Sequence, residues 1–223
     1  MRYSSLITFS LGIAISSLRA QACSTQSDVK VTFYGYPDNS PPGAGTAYNC
    51  GNRNYIAGGT GTYDDPLTMA TSTGEFNKCE IIYVPYLQKY VRYEDECQEC
   101  DSDWQSGTWH IDIWTGSSTS DGGSAQVRCE DSLTPDGTQT VVRQPSQHLS
   151  VNSQALYDGS CHTDATDPNP DLSNVCSSGG SGSGGAGSGG SCSWPGHCAG
   201  APCSTYNDCS DALICSNGVC ASS

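Results

Sequence analysis

Fourteen cysteines, divided by a single glycine/serine run, are the strongest constraint on what this 223-residue chain can become. Eight of them (Cys23, Cys50, Cys79, Cys97, Cys100, Cys129, Cys161, Cys176) precede the run and six (Cys192, Cys198, Cys203, Cys209, Cys215, Cys220) follow it. Both counts are even, so each part can close its own bridges, although spacing alone leaves the connectivity open. Disulfides persist in exported proteins and are rare in the cytosol. The N-terminus agrees. Arg2 is followed by an apolar stretch from Leu6 to Leu18 and then Leu18-Arg19-Ala20, the pattern of a secretory leader. That stretch is too short to span a bilayer. The expected organisation is a signal peptide over 1–20, a first domain over 21–176, a linker over 177–191 and a cysteine-rich module over 192–223. The expected localisation is extracellular.

The linker, Ser177 to Ser191, has nothing to bury and reads as flexible coil with a reach of about 20 Å. Before it, the patterns are those of strands. Val29–Tyr34, Glu80–Val84, Lys89–Glu94, Trp109–Trp114 and Gln139–Arg143 alternate or are rich in β-formers, with Gly and Pro between them. Pro85-Tyr86-Leu87-Gln88 reads as the turn of a hairpin. No convincing amphipathic helix longer than about two turns is expected. The expectation is an all-β barrel or sandwich with one core.

Charge excludes some partners. The net charge is −14 with only nine Lys and Arg. A nucleic-acid partner needs cations to neutralise phosphate, so none is expected, and an anionic membrane is disfavoured for the same reason. Neutral polysaccharide is compatible, and a cationic one such as deacetylated chitin is mildly favoured, although acidity can equally serve solubility alone. The protein is expected as a monomer.

One constellation carries chemistry. Asp112 sits between Ile111 and Ile113, so if the isoleucines face the core, Asp112 faces away, towards a groove that Trp109, Trp114 or Trp104 would line. Partial desolvation there would raise its pKa and suit it to protonate a glycosidic oxygen. The other reading is a structural acid taking backbone hydrogen bonds. Asp65-Pro66 suits a turn, and Asp95, beside Cys97 and Cys100, either holds that loop or lines the groove. Tyr34 and Tyr36 are candidates for stacking on a sugar or for the core.

Asp65-Pro66, Tyr83-Val84-Pro85, Tyr93-Glu94-Asp95 and His110-Ile111-Asp112 together resemble the three-aspartate region of double-psi β-barrel proteins, which include lytic murein transglycosylases. His110-Ile111-Asp112 also resembles the His-Phe-Asp motif of family 45 endoglucanases, and Val31-Thr32-Phe33-Tyr34-Gly35 resembles the opening of expansins. The domain is similar as well to a group of fungal secreted proteins with this barrel. The resemblance covers about residues 29–116 and implies a six-stranded double-psi-type barrel acting on a cell-wall polysaccharide. Asp112 would be its catalytic acid, and Asp38, by position, the base of the endoglucanases. Substrate contacts would fall to Tyr34, Tyr36, Asp95, Trp104, Trp109, His110 and Trp114. The alternative it implies is a non-catalytic wall-loosening binder or a protein inhibitor. Glu96–Trp104 stands where the bacterial pattern has a Gly-rich loop, which leaves ligand choice open.

No cofactor and no metal are expected. Cys97-x-x-Cys100 resembles half of a zinc site or a redox motif but is read as part of the structural disulfides, and His110, His148, His162 and His197 lack ligand spacing. The tail, with spacing C-x5-C-x4-C-x5-C-x5-C-x4-C, resembles small knottin-like modules. So short a segment needs its bridges to stay folded. Trp194, Tyr206 and Leu213 form either its small core or a sugar-stacking face.

Overall fold

The computed structural model describes residues 23–176, 213–216 and 219–222. The expected leader, the linker and most of the tail, including Trp194 and Tyr206, lie outside them.

Alternation builds the first strand. In β1 (Ser24–Tyr34), Val29, Val31 and Phe33 point inward, and in β5 (Trp109–Trp114) Ile111 and Ile113 do the same. These two strands pair in parallel, Val29 opposite Trp109 through Tyr34 opposite Trp114. With β2 (Leu67–Thr71), β3 (Ile81–Val84), β4 (Lys89–Glu96) and β6 (Gln139–Arg143) they close a six-stranded barrel in the order β1-β5-β2-β4-β3-β6. The second parallel pair is β2 with β4; the other neighbours are antiparallel. Closure leaves no open sheet edge. Val29, Ile82, Val84, Val91, Ile111, Ile113 and Val141 are fully buried in one core. Each such side chain contributes about 1.5–3 kcal/mol through burial.

The β3–β4 hairpin turns at Pro85–Gln88 as expected, with Leu87 N donating to Val84 O. Strand β2 is not legible beforehand. It lies between β4 and β5, and all five of its residues are buried, so Leu67-Thr68-Met69-Ala70-Thr71 shows no alternation.

Two helices correct the sequence expectation. Helix α1 (Gln98–Gln105) occupies most of the segment taken as a loop; the Cys97 sulfur caps it by accepting from Cys100 N. Helix α2 (Gly123–Leu133) runs three turns and packs on β1. Its buried residues Gln126, Cys129, Glu130 and Leu133 keep helical spacing. Two of the four are polar, so no apolar stripe marks the helix.

The eight cysteines before the linker form four bridges: Cys23–Cys176, Cys50–Cys79, Cys97–Cys100 and Cys129–Cys161. The first ties the two ends of the barrel domain together, and the last ties α2 to the segment near the 3-10 turn Thr163–Ala165. In the tail, β7 (Leu213–Ser216) and β8 (Val219–Ser222) form an antiparallel pair with Cys215 opposite Cys220, and Cys220 is buried and disulfide-bonded. Among the described residues no helix is long and apolar enough to cross a membrane.

Candidate active site

Strand register assembles the site. Asp95 on β4 stands opposite Ala70 on β2, Ala70 opposite Asp112 on β5, and Asp112 opposite Thr32 on β1. These four residues form one row across four adjacent strands, and all four line a groove of about 1000 Å³. A bulge sets the row. The β2–β4 register shifts between Met69 and Ala70, skipping Glu94. Glu94 turns into a buried network with Arg92 (2.7 Å), Arg53 (2.5 Å) and Thr68 (2.7 Å), which leaves Asp95 in line with Asp112. Re-aiming a side chain is a common consequence of a bulge.

Each acid in the row is held. Thr32 Oγ1 donates to Asp112 Oδ1 at 2.8 Å and lies 2.9 Å from His110 Nε2. Burial pushes Asp112 up to about 7; Thr32 opposes this, and the Asp38 carboxylate adds to it. Asp112 therefore holds its proton to much higher pH than an ordinary carboxyl group. Asp95 is also pushed up, mainly by burial, although it accepts from Ala47 N and Glu96 N and from the Tyr34 hydroxyl at 3.0 Å.

Asp38 reaches the same groove from the loop after β1, where its carboxylate accepts from Gly35 N at 2.9 Å. Facing it is Glu130 of α2, which sequence patterns do not single out. Glu130 is buried; its Oε1 accepts from Thr115 Oγ1 at 2.9 Å, and its Oε2 receives no donor from the described residues. Burial, followed by the nearby Asp38 carboxylate, raises its pKa, so Glu130 is held towards its protonated form. Two carboxyl groups in contact cannot both ionise cheaply. Gly35 makes this approach possible: a Cβ there would lie 1.9 Å from Gln126 Nε2 and 2.5 Å from Glu130 Oε1.

The expected aromatic lining is corrected. None of Trp104, Trp109 and Trp114 lines the groove. Trp109 shares the strand face of Ile111 and Ile113 and packs on the core, with the Trp104 ring tilted against it at 4.9 Å. Trp114 is fully buried with its edge against Tyr34. Tyr36 is half-buried against that same cluster and is not among the lining residues. Tyr34 does line the groove, with its hydroxyl committed to Asp95. His110 is buried behind Thr32. Its Nδ1 lies 2.8 Å from Asp103 Oδ2 without hydrogen-bond alignment, and burial, followed by Lys30, lowers its pKa. Asp65 lies away from the row, in a turn where it pairs with Arg53 at 2.9 Å.

The Cys97 and Cys100 sulfurs are consumed by their disulfide. Glu99, Asp103 and His110 bring ligand-type atoms within 4.8 Å of one another. Lys30 Nζ already sits there, 2.6 Å from Glu99 and 3.1 Å from Asp103, so an internal cation compensates the cluster.

The model of a family described as the DDB_G0273701 N-terminal domain matches residues 26–167. An uncharacterized protein of Dictyostelium discoideum, DDB_G0273701/DDB_G0273221, is 38% identical over 141 residues, which is 61% of this chain and 60% of that protein. Endo-chitosanase C of Aspergillus oryzae is 75% identical over 32 residues, 14% of this chain and 8% of that enzyme. In a second strain the endo-chitosanase C match is 65% over 37 residues, 10% of the enzyme. The chain thus spans less than two thirds of each of these relatives. No solved structure matches.

Proposed function

The chain belongs to the DDB_G0273701 N-terminal domain family, and we propose that its barrel is a secreted domain that cleaves a β-linked polysaccharide by acid catalysis at Asp112. The observation that carries this reading is a carboxyl group that burial pushes up to about 7, in an open groove that a second carboxylate, Asp38, also enters. Asp112 would give its proton to the glycosidic oxygen as the bond to the sugar carbon breaks. Asp38, held by Gly35 N, would take a proton from the water that adds to that carbon.

Further support comes from the short matches to an enzyme named for chitosan cleavage. The resemblance to expansins and family 45 endoglucanases gains weight because Thr32, Tyr34, Asp38 and Asp112 meet in one groove. Two parallel strand pairs within a six-stranded closure support a double-psi connectivity. Four disulfides favour an oxidising compartment, and with the leader-like N-terminus they support secretion. The division into barrel, Gly/Ser tether and cysteine-rich module is part of the same proposal.

One observation favours a binding-only, wall-loosening role instead. Asp38 and Asp95 both already accept hydrogen bonds from the protein. Product analysis on chitosan, chitin, cellulose, β-glucan and peptidoglycan decides between the two readings. Cleavage of one polymer that is lost in Asp112→Asn is the expected result. Binding with no new chain ends on any polymer would leave the binding role.

A further inference from the structure

The groove has an unusual charge. Eight of its lining residues are Asp or Glu, and none is Lys, Arg or His. Glu96, Asp101 and Asp131 stand exposed around Asp112 and Asp38. Lys30, whose ammonium pairs with the lining residue Glu99, is also tied to Asp103 and is not a lining residue. Among the described residues the only aromatic ones that line it are Phe33 and Tyr34, and both are buried. A neutral sugar ring therefore finds no exposed ring to stack on. Recognition here has to rest on charge and hydrogen bonds.

A second feature points to the sign of the ligand. Glu130 lines this groove, and its Oε2 is a buried acceptor that receives no donor from the described residues. Buried acceptors are rarely left that way. An ammonium group offers three donors and a full positive charge, so it can serve Glu130 and Asp38 together. A neutral hydroxyl offers one donor and cannot offset the crowded negative charge. The net charge of −14 extends the same field outward and would steer a polycation to the groove.

We propose that the groove takes a polysaccharide of free-amine sugars, a glucosamine polymer, in preference to its N-acetylated or neutral counterparts. This rests on the reading of the groove as a glycan site, and it supplies the substrate class that reading leaves open. Acetylation removes the charge and replaces the ammonium with an amide whose methyl group would sit against carboxylates.

The test uses the full secreted chain with three hexasaccharides: glucosamine, N-acetylglucosamine and glucose. Calorimetry measures binding, and mass spectrometry reads the products. Glucosamine hexamer is expected to bind about tenfold or more tightly than the others, a difference of ~1.4 kcal/mol or more. Most of that preference should vanish in about 1 M salt, where the Debye length is about 3 Å. The double substitution Glu96→Gln/Asp131→Asn, at exposed groove positions, should weaken binding of glucosamine hexamer while leaving thermal unfolding unchanged. Equal or tighter binding of an acetylated or glucose hexamer, with cleavage, overturns the substrate class and leaves the glycosidase reading standing. Salt-sensitive glucosamine binding without cleavage supports the class and removes catalysis. Failure to bind or cleave any hexamer overturns both.

Discussion

Thr32 and Asp112 are register partners on parallel strands, and the threonine hydroxyl donates to the aspartate at 2.8 Å while its other side lies 2.9 Å from His110 Nε2. This contact opposes the burial that raises Asp112. Replacing Thr32 with Val keeps the shape and removes the hydroxyl. Asp112 should then hold its proton to higher pH, and the alkaline limb of the pH–rate profile should move upward. Asp112→Asn should lower turnover by ~10²–10⁴, the usual contribution of general acid catalysis, with folding retained. A folded Asp112→Asn protein with full activity would remove Asp112 from the chemistry.

Stability should respond to pH in a definite direction. Asp112 is pushed up to about 7, and Asp95 and Glu130 are raised too, in each case chiefly by burial. A carboxyl group raised in the folded state binds its proton more tightly there than in the unfolded chain. Stability is therefore full below the ordinary carboxylate range and falls as pH rises through about 7. Each unit of displacement corresponds to about 1.4 kcal/mol once the group ionises. Glu80 works the other way: burial raises it, but the hydrogen bonds and charge of Arg143 together with the hydrogen bonds from Asn77 more than offset this and hold it low, so its contribution is lost in acid. Thermal unfolding should show a maximum near the ordinary carboxylate range and a decline towards neutrality. Glu130→Gln should flatten that decline. A melting temperature that climbs steadily from pH 5 to 8 would contradict the assignment.

Gly35 should tolerate no side chain. A Cβ there would meet Gln126 and Glu130 well inside contact distance, and overpacking of this kind costs ~1–3 kcal/mol or more. Gly35→Ala should lower the melting temperature and disturb the Asp38–Glu130 pair. Gly45, whose Cβ would meet nothing within 4 Å, is the control. Equal effects of Gly35→Ala and Gly45→Ala would show that α2 does not press on this turn.

The Cys23–Cys176 bridge closes the longest loop among the described disulfides, with a separation of 153 residues. Loop-closure entropy makes such a bridge worth up to about 5 kcal/mol. Cys23→Ser/Cys176→Ser should lose more stability than Cys97→Ser/Cys100→Ser, whose bridge spans a separation of 3. Denaturant midpoints of the two double variants give the comparison directly.

The strands β1, β5 and β6, the β3–β4 hairpin and the even cysteine count before the linker are legible in the sequence, because alternation, turn residues and cysteine parity are local properties of the chain. The inward turn of Ile111 and Ile113, and with it the outward turn of Asp112, follows from a period of two residues alone. The rest was decided in three dimensions. Strand β2 has no outward face and so no pattern. Helix α2 is hidden because Gln126 and Glu130 are polar at buried positions, and they are tolerated there only because Thr115 and Asp38 meet them. The row of Thr32, Asp112, Ala70 and Asp95 depends on the register of four strands far apart in the chain, and on one bulge beside Glu94. The tryptophans expected to wall the groove went elsewhere for the same reason: a side chain's own strand fixes its face, but its neighbours in space fix what covers that face. Desolvation and like-charge repulsion are properties of those neighbours, so only the folded barrel makes Asp112 an acid near neutral pH.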